Sequence, residues 1–220
     1  MMTAHFDLEF IARQPQPANP KALLVLLHGV GGCETNLVDL AATISSETLV
    51  VMPRGPMTLG AGQYGWFRVN FTSTGPLIVE TEAEQSCQTL LRFVAQLQSV
   101  YSIAPRNTVI AGFSQGGILS ASVALSAPEL VAGFGVLSGR ILPELEPHIA
   151  NKARLENLHA FIGHGEYDSK LPVLWAQRSD QLLSGLGVAH LTRLYPIDHG
   201  ISAEMQADFL SWLQSITSGV

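Results

Sequence analysis

The sequence predicts an α/β fold, with a mostly parallel central sheet that carries helices on both faces. Short apolar runs alternate with longer segments in which apolar residues recur every three or four positions, as when strands alternate with helices. The runs are continuously apolar, as in ALLVLL at 22–27, which is typical of strands buried on both sides. With 220 residues, 47% of them hydrophobic, we expect a single domain over residues 1–220.

The predicted elements follow one another along the chain. Seven apolar runs of strand length predict strands at 5–12, 22–28, 48–53, 107–112, 131–137, 159–163 and 190–195. Helical periodicity is clearest in the last segment, where Met205, Phe209 and Trp212 follow at steps of three and four. Segments of this kind predict helices at 35–46, 79–101, 115–126, 171–186 and 202–215.

One long segment, 53–78, has neither periodicity. It is rich in glycine and aromatic residues, and loops of such length are usually either functional or disordered. Four aromatic side chains argue against disorder: Tyr64, Trp66, Phe67 and Phe71. We expect the segment to form a wall of a binding site, with packing as an ordinary surface loop as the alternative.

Charge and composition argue against several classes of protein. The net charge of −6 and the lack of a Lys/Arg cluster argue against nucleic-acid binding. The apolar runs are far shorter than the roughly 18 residues of a membrane span, and no secretory signal is visible, so we expect a cytoplasmic protein without stable membrane insertion. With two cysteines, a disulfide or a metal pair is not expected, and Cys87 lies on an apolar helical seam.

The pentapeptide GFSQG at 112–116 fits the pattern G-x-S-x-G and joins a predicted strand to a predicted helix. On such a turn a serine is held in a strained conformation that exposes its hydroxyl, and the glycines remove Cβ atoms that would clash. By chance alone the pattern occurs in roughly one chain of this size in ten. Its position between strand and helix makes Ser114 the candidate nucleophile.

A serine nucleophile needs a histidine to take its proton and a carboxylate to orient that histidine. His199 follows the predicted strand 190–195, and Asp168 follows the predicted strand 159–163. Both therefore reach the carboxyl edge of the sheet, where open α/β sheets carry their sites. The pair completes a candidate Ser-His-Asp triad.

Other residues compete for these two roles. His28 and His164 also end strands, but each is better explained as shaping its own loop. Glu166 and Asp198 are the alternative acids. Because Asp198 directly precedes His199, we expect the two side chains to diverge and Asp198 to be a solvated loop carboxylate.

Acyl transfer also requires hydrogen-bond donors for the oxyanion. One is the backbone N–H after the nucleophile, here Gln115, and the other comes from the loop after an early strand. LLHGVGG at 26–32 is that loop, and its glycines allow the Val30 N–H to point into the site. The alternative is a phosphate cradle, but HGVGG lacks both G-x-G-x-x-G and the Walker lysine.

Together these segments resemble the phospholipase/carboxylesterase family of serine hydrolases, which includes acyl-protein thioesterases and small bacterial carboxylesterases. LLHGVGGCETNLVDLA is similar to the family's oxyanion segment, and VVMPRGP and YGWF to its next strand and loop. GFSQGGILSASVALSAPELVAGFGVLSG is similar to the nucleophile region, and GHGEYDSKLP and YPIDHG to the acid and base loops. The resemblance covers nearly the whole chain and implies an α/β-hydrolase fold.

The resemblance implies that Ser114, Asp168 and His199 form the triad and that Val30 and Gln115 supply the oxyanion hole. The expected reaction is hydrolysis of a carboxylic ester or thioester through an acyl-enzyme, with no metal or organic cofactor. The expected partner is a small ester or acyl thioester, including an acylated protein.

The interval between 137 and 159 is too short for the cap domain that larger relatives insert there, so we expect an open site. We expect four side chains to contact substrate: Trp66, Phe67, Leu171 and Trp175.

Three residues depart from the family pattern. Asp198 stands where relatives often have glycine, and Arg140 and Arg68 are basic residues that favour an anionic or polar acyl group. Three alternative functions stay open: a silent ligand-binding protein on this fold, a peptidase or lactonase of this fold, and a flavodoxin-like nucleotide binder. Acyl length, preference between ester and thioester, and oligomeric state are not determined by the sequence.

Overall fold

The computed structural model of the protein describes residues 5–72 and 75–217, without the side chains of 71–72, 75–76 and 145–147. Within these residues the strands are β1 (Phe10–Ala12), β2 (Ala22–Leu27), β3 (Thr48–Pro53), β4 (Met57–Gly60), β5 (Gln63–Gly65), β6 (Val69–Thr72), β7 (Gly75–Ile78), β8 (Thr108–Phe113), β9 (Gly133–Leu137), β10 (His159–Gly165) and β11 (Ala189–Tyr195). The α-helices are α1 (Val38–Ala42), α2 (Glu80–Tyr101), α3 (Gln115–Ser126), α4 (Lys152–Leu155), α5 (Leu174–Leu186) and α6 (Ala203–Thr217).

Seven of these strands form the central sheet, in the order β1-β3-β2-β8-β9-β10-β11. Strand β1 pairs antiparallel with β3, and every other neighbouring pair is parallel. The predicted mostly parallel sheet is therefore confirmed. Because the strands run the same way, the loops that follow β2, β8, β10 and β11 all leave from one edge of the sheet.

Helices cover both faces of the sheet, as predicted. Successive strand side chains point to opposite faces, so along β2 Leu23 and Val25 belong to one core cluster and Leu24 to the other. Helices α2, α3 and α5 contribute to the first cluster. Helices α1 and α6 contribute to the second, in which Phe209 packs against Phe161 with ring centroids 5.7 Å apart.

Helix α3 has the predicted bounds and is buried on every side. All of its side chains from Gln115 to Leu125 are buried, so its apolar character extends around the helix instead of forming one stripe. It packs against β8 and β9 on the sheet side and against α2 on the other. Its N-cap is Ser114, which is thus fixed between a buried strand and a buried helix.

Two predicted elements keep less than half of their predicted length in the structure. Only Phe10–Ala12 of the predicted strand 5–12 pairs with β3, because the Asp7 carboxylate accepts hydrogen bonds from Arg92 and Gln96 and holds that segment against α2. The predicted helix 35–46 contracts to Val38–Ala42. Its start is lost to a turn in which the Asn36 side chain accepts the Cys33 N–H, at 2.7 Å.

The segment 53–78 was predicted to be irregular, and this prediction is wrong in detail. It contains two hairpins, since β4 pairs antiparallel with β5 and β6 pairs antiparallel with β7. Neither hairpin has the continuous apolar run of a central strand, so the sequence pattern missed them. The side chain of Phe71 lies outside the described residues.

Between β9 and β10 the chain forms a 3₁₀ turn, Pro143–His148, followed by the single-turn helix α4. Nothing larger is inserted between β9 and β10, so no cap at this point covers the carboxyl edge of the sheet. In the part of the chain that the structure describes, no helix has the length and apolarity to cross a membrane.

Candidate active site

Ser114 lies at a sharp turn from β8 into α3. Its backbone has φ 52° and ψ −114°, in the positive-φ region that a non-glycine residue rarely adopts. A Cβ on Gly116 would lie 2.2 Å from the Leu27 carbonyl oxygen, and one on Gly112 would lie 2.4 Å from the Gly116 carbonyl carbon. The glycines of the motif are therefore required by contact with β2 and with each other.

The imidazole of His199 lies between Ser114 and Asp168. Its Nε2 is 3.0 Å from Ser114 Oγ, and its Nδ1 is 2.7 Å from Asp168 Oδ2. With the Nδ1 proton donated to the carboxylate, Nε2 is free to accept from the serine hydroxyl. The structure thus brings together all three residues of the predicted triad, from loops after β8, β10 and β11.

The Asp168 carboxylate is held from several directions. It is 6% exposed, and its Oδ1 accepts the backbone N–H groups of Lys170 at 2.9 Å and Leu171 at 2.8 Å. His164 Nε2 donates to the Leu171 carbonyl at 2.8 Å and lies 3.4 Å from Asp168 Oδ2. His164 therefore shapes the acid loop, as predicted, and the second carboxylate oxygen is directed at His199.

Asp198 was expected to be a solvated carboxylate, and this expectation is incomplete. The residue is exposed, but its Oδ1 accepts the Ser169 N–H at 2.8 Å and the His199 N–H at 2.7 Å. The hydrogen bond from Ser169 and that from His199 lower the pKa of Asp198. Its side chain diverges from the imidazole, as predicted, yet it joins the acid loop to the base loop.

Two further contacts fix the base loop. Ser138, after β9, donates its hydroxyl to the Gly200 carbonyl at 2.7 Å, and the Tyr167 N–H donates to the Ile197 carbonyl at 3.1 Å. A Cβ on Gly165 would lie 2.5 Å from that same Ile197 oxygen, so the two loops approach as closely as a glycine permits. The position of His199 therefore depends on contacts with the loops after β9 and β10.

The loop after β2 is folded by its own histidine. His28 Nε2 accepts the Gly55 N–H at 2.9 Å, so the proton is on Nδ1, which donates to the Gly29 carbonyl at 2.7 Å. Burial lowers the pKa of His28 and keeps this ring neutral. Gly31, which has a positive φ of 76°, then donates its N–H to the Tyr64 carbonyl.

Gln115 uses its side chain and its backbone differently. The buried amide accepts the Trp66 N–H at 2.8 Å and donates to the Phe67 carbonyl at 2.7 Å, which fixes the segment between the two hairpins. The Gln115 N–H, like the Val30 N–H, has no hydrogen-bond acceptor among the described residues, and both residues line the same cleft. These are the two donors that the sequence predicted for an oxyanion.

The cleft in front of Ser114 has a volume of about 280 Å³. Of the predicted substrate-contacting residues, Phe67 and Leu171 line it. Trp66 does not, because it is 1% exposed and its indole N–H donates to the His28 carbonyl. Trp175 also lies outside the lining, on α5.

The two basic residues that depart from the family pattern have different surroundings. Arg68 is exposed and committed to Glu82, which accepts its Nε at 2.7 Å and its backbone N–H at 2.8 Å. It does not line the cleft, so its predicted role toward substrate is not supported. Arg140 does line the cleft, is 4% exposed, and lies over the Trp175 ring at 4.4 Å.

Several residues that line the cleft were missed by the sequence analysis: Gly29, Val69, Ile78, Phe113, Ile118 and Lys170. Phe113 could have been found, since it immediately precedes the nucleophile; its ring centroid is 4.9 Å from that of His199. Ile118 lies one helical turn after Ser114. Val69 and Ile78 belong to the segment 53–78 that was expected to form a wall of the site, but neither was named individually, because the β6–β7 pairing that presents them was not predicted.

Neither cysteine lines the cleft. Both cysteines are free; Cys87 is buried in the core as predicted, and burial raises its pKa to about 11. Across residues 5–72 and 75–217, no group of three or more His, Cys, Asp or Glu side chains is arranged to hold a metal ion.

Residues 8–217 match the sequence profile of the family described as Phospholipase/Carboxylesterase. Acyl-protein thioesterase 1 of Kluyveromyces lactis is 27% identical over 175 residues, covering 74% of this chain and 75% of the relative. Acyl-protein thioesterase 1 of Debaryomyces hansenii is 25% identical over 224 residues, covering 94% and 95%.

Solved structures share the fold at lower identity. The Bacillus cereus carboxylesterase superposes with a TM-score of 0.81 at 20% identity, over 95% of this chain and 94% of that one. A carboxylesterase from Mesorhizobium loti gives 0.81 at 21%, over 99% and 98%. The family profile spans almost the whole chain, and the fold is that of the α/β hydrolases. The chain therefore belongs to the phospholipase/carboxylesterase family and is a hydrolytic enzyme.

Proposed function

We propose that this enzyme hydrolyses carboxylic esters or thioesters through a covalent acyl-enzyme on Ser114. His199 is the general base and then the general acid, and Asp168 orients its ring. The N–H groups of Val30 and Gln115 stabilise the oxyanion of each tetrahedral intermediate, where loss of one such donor costs about 3–4 kcal/mol.

The proposed reaction has two steps. Ser114 Oγ attacks the carbonyl carbon while its proton passes to His199 Nε2, and the same proton leaves with the alcohol or thiol as the first bond breaks. Water then gives a proton to Nε2 as it attacks the acyl-enzyme, and the proton returns to Ser114 as the acid departs. Ser114 is thereby regenerated as the free hydroxyl.

One observation carries the proposal: the continuous hydrogen-bonded chain from Ser114 through His199 to Asp168, at 3.0 Å and 2.7 Å, beside the cleft. The strained backbone of Ser114 supports the proposal. Such strain persists only where the surrounding structure enforces it, and here it exposes the hydroxyl. A silent binding protein on the same fold would need neither.

The substrate we favour has a short acyl group. The cleft of about 280 Å³ is at the low end of small-molecule sites, which favours short esters and thioesters over enclosed lipid chains. An acylated protein is a further candidate, because the related fungal proteins are named acyl-protein thioesterases. The open edge of the sheet is compatible with an acyl group presented on a surface.

A fluorophosphonate probe, with a panel of short and long acyl esters and thioesters, tests the proposal. Labelling and turnover should disappear in Ser114→Ala and in His199→Ala, with kcat lower by at least about 10⁴-fold. His190→Ala is the matched control, because His190 also pairs with a carboxylate, Asp180 at 3.2 Å, but lies outside the cleft. The proposal fails if folded wild-type enzyme takes no label, or if Ser114→Ala still does.

A further inference from the structure

Arg140 is a buried cation that lines the cleft, and the proposed hydrolysis gives it no role. It follows β9 directly after Gly139, on which a Cβ would lie 2.9 Å from the Ser114 carbonyl oxygen. The backbone that carries Arg140 therefore lies close to Ser114. Its guanidinium carbon lies 4.4 Å from the centroid of the Trp175 ring on α5, and the next residue, Ile141, is tied to α5 through Ser179 at 3.2 Å.

The guanidinium donors of Arg140 have no acceptor among the described residues. Arginine carries five N–H donors, and a ring beneath it satisfies none of them, because the cation–π contact uses the face of the group and leaves its edges. Within the described residues Arg140 makes no hydrogen bond or ion pair, and its Nε is buried without any acceptor. Buried donors in proteins are nearly always paired, so an unpaired one in a binding cleft indicates an acceptor that arrives with the ligand.

The surrounding charge is also favourable to an anion. The cleft-lining residues that the structure describes include a second cation, Lys170, and no carboxylate, although the whole chain has a net charge of −6. The acid that acts most on Arg140 is Glu144, which is exposed and forms no ion pair with it among the described residues. Burial lowers the pKa of Arg140, but an arginine side chain stays charged at neutral pH.

We propose that Arg140 is a specificity-determining residue that binds an anionic group of the substrate, a carboxylate on the acyl or the alcohol part, while Ser114 attacks the ester carbonyl. This inference rests on the proposed function and narrows its substrate class to esters or thioesters that carry a negative charge close to the scissile bond. Trp175 then acts as a positioning residue, since its ring holds the guanidinium flat against α5. A planar fork in this position suits bidentate binding of a carboxylate.

Matched pairs of substrates test the proposal. Monoethyl glutarate carries the charge on the acyl side, and its neutral isostere has an isopropyl group in place of the carboxylate; acetoxypropanoate and isopentyl acetate form the corresponding pair for the alcohol side. We expect wild-type enzyme to prefer the anionic member of at least one pair in kcat/KM. We expect Arg140→Met to lower that preference by at least about 30-fold, because a buried site that loses its charged donor discriminates weakly. Arg140→Lys should retain part of it.

Arg178→Met is the control variant. Arg178 also lies over the Trp175 ring, at 4.9 Å, but does not line the cleft, so its loss should leave the preference unchanged. Free glutarate should inhibit wild type competitively and Arg140→Met at least about 30-fold more weakly. Equal turnover of charged and neutral esters by wild type overturns the inference and leaves the hydrolase intact. Absence of all ester turnover and of probe labelling would instead overturn the proposed function.

Discussion

At the level of single residues, the nucleophile turn depends on the absence of side chains at the two neighbouring glycines. Ser114 keeps φ at 52° because α3 and β8 fix both of its flanks, and the missing side chains of Gly112 and Gly116 allow the turn to press against β2. The hydroxyl is thereby presented to His199 before any substrate binds. Such preorganisation is what a hydrolase needs and what a simple turn does not.

Gly116→Ala should destabilise the fold and abolish activity. The new Cβ would lie 2.2 Å from the Leu27 carbonyl oxygen, so β2 and α3 must separate, at a cost of about 3 kcal/mol or more. Urea unfolding measures this. Gly185→Ala is the matched control, because that helical glycine has nothing within 4 Å and its replacement should be neutral or stabilise by up to about 1 kcal/mol. Equal stability of the two variants would contradict the packing described for the turn.

Asp198→Ala should lower kcat about five- to tenfold without lowering affinity for small esters. The Ser169 and His199 N–H groups lose their shared acceptor, so the acid and base loops are held less firmly. Asp198→Asn, which keeps an oxygen acceptor, should remain within about twofold of wild type. Steady-state kinetics on one short ester separate the two. If Asn and Ala were equally harmful, the charge of Asp198 and not its acceptor role would be responsible.

At the scale of elements, an ion pair joins the oxyanion loop to the strand beside it. Arg54, which follows β3, donates its Nε to Glu34 at 2.8 Å, and its guanidinium lies 4.7 Å over the Tyr64 ring of β5. Tyr64 in turn pairs with Gly31 and Gly32 through its backbone. The loop that carries the Val30 N–H is therefore fixed to β3 and to the β4–β5 hairpin.

This ion pair predicts a pH dependence of stability. Hydrogen bonding to Arg54 lowers the pKa of Glu34 to about 2, below the ordinary value of 4.5. A carboxylate whose pKa is lower in the folded state stabilises the fold above the unfolded value, and this contribution is lost as pH falls toward the folded one. Glu34→Gln should therefore cost about 2 kcal/mol at neutral pH and clearly less near pH 3. Denaturation at both pH values checks this, and a constant difference would be the contrary result.

Buried, regular elements were predictable from the sequence, and elements defined by partners were not. The bounds of β3 and α3 agree with the prediction because both are buried and rich in apolar residues, and both are bounded by residues typical of turns. The hairpins in 57–78 were missed because their half-exposed strands have no distinctive period. The shortened β1 depends on Asp7 finding Gln96, which lies 89 residues away in the chain, and local patterns contain no such information.

At the scale of the whole molecule, the parallel sheet gathers residues from distant parts of the chain at one edge. Ser114, Asp168 and His199 were predictable because each follows a strand whose carboxyl end reaches that edge. The roles of Arg68 and Trp66 were not, since each depends on one long-range contact, with Glu82 and with the His28 carbonyl. The environment of Arg140, whose Nε has no acceptor among the described residues, was likewise not predictable, because it depends on the position of α5.

Mass spectrometry of the acyl-enzyme tests covalent catalysis by Ser114 most directly. A short ester is mixed with enzyme and quenched in acid within one turnover, and the digested protein is searched for the added acyl mass. We expect the acyl group on the peptide that contains Ser114, its absence from Ser114→Ala, and its decay as the ester is consumed. Hydrolysis that proceeds with no acylated peptide, or with the acyl group on another residue, would contradict covalent catalysis by Ser114.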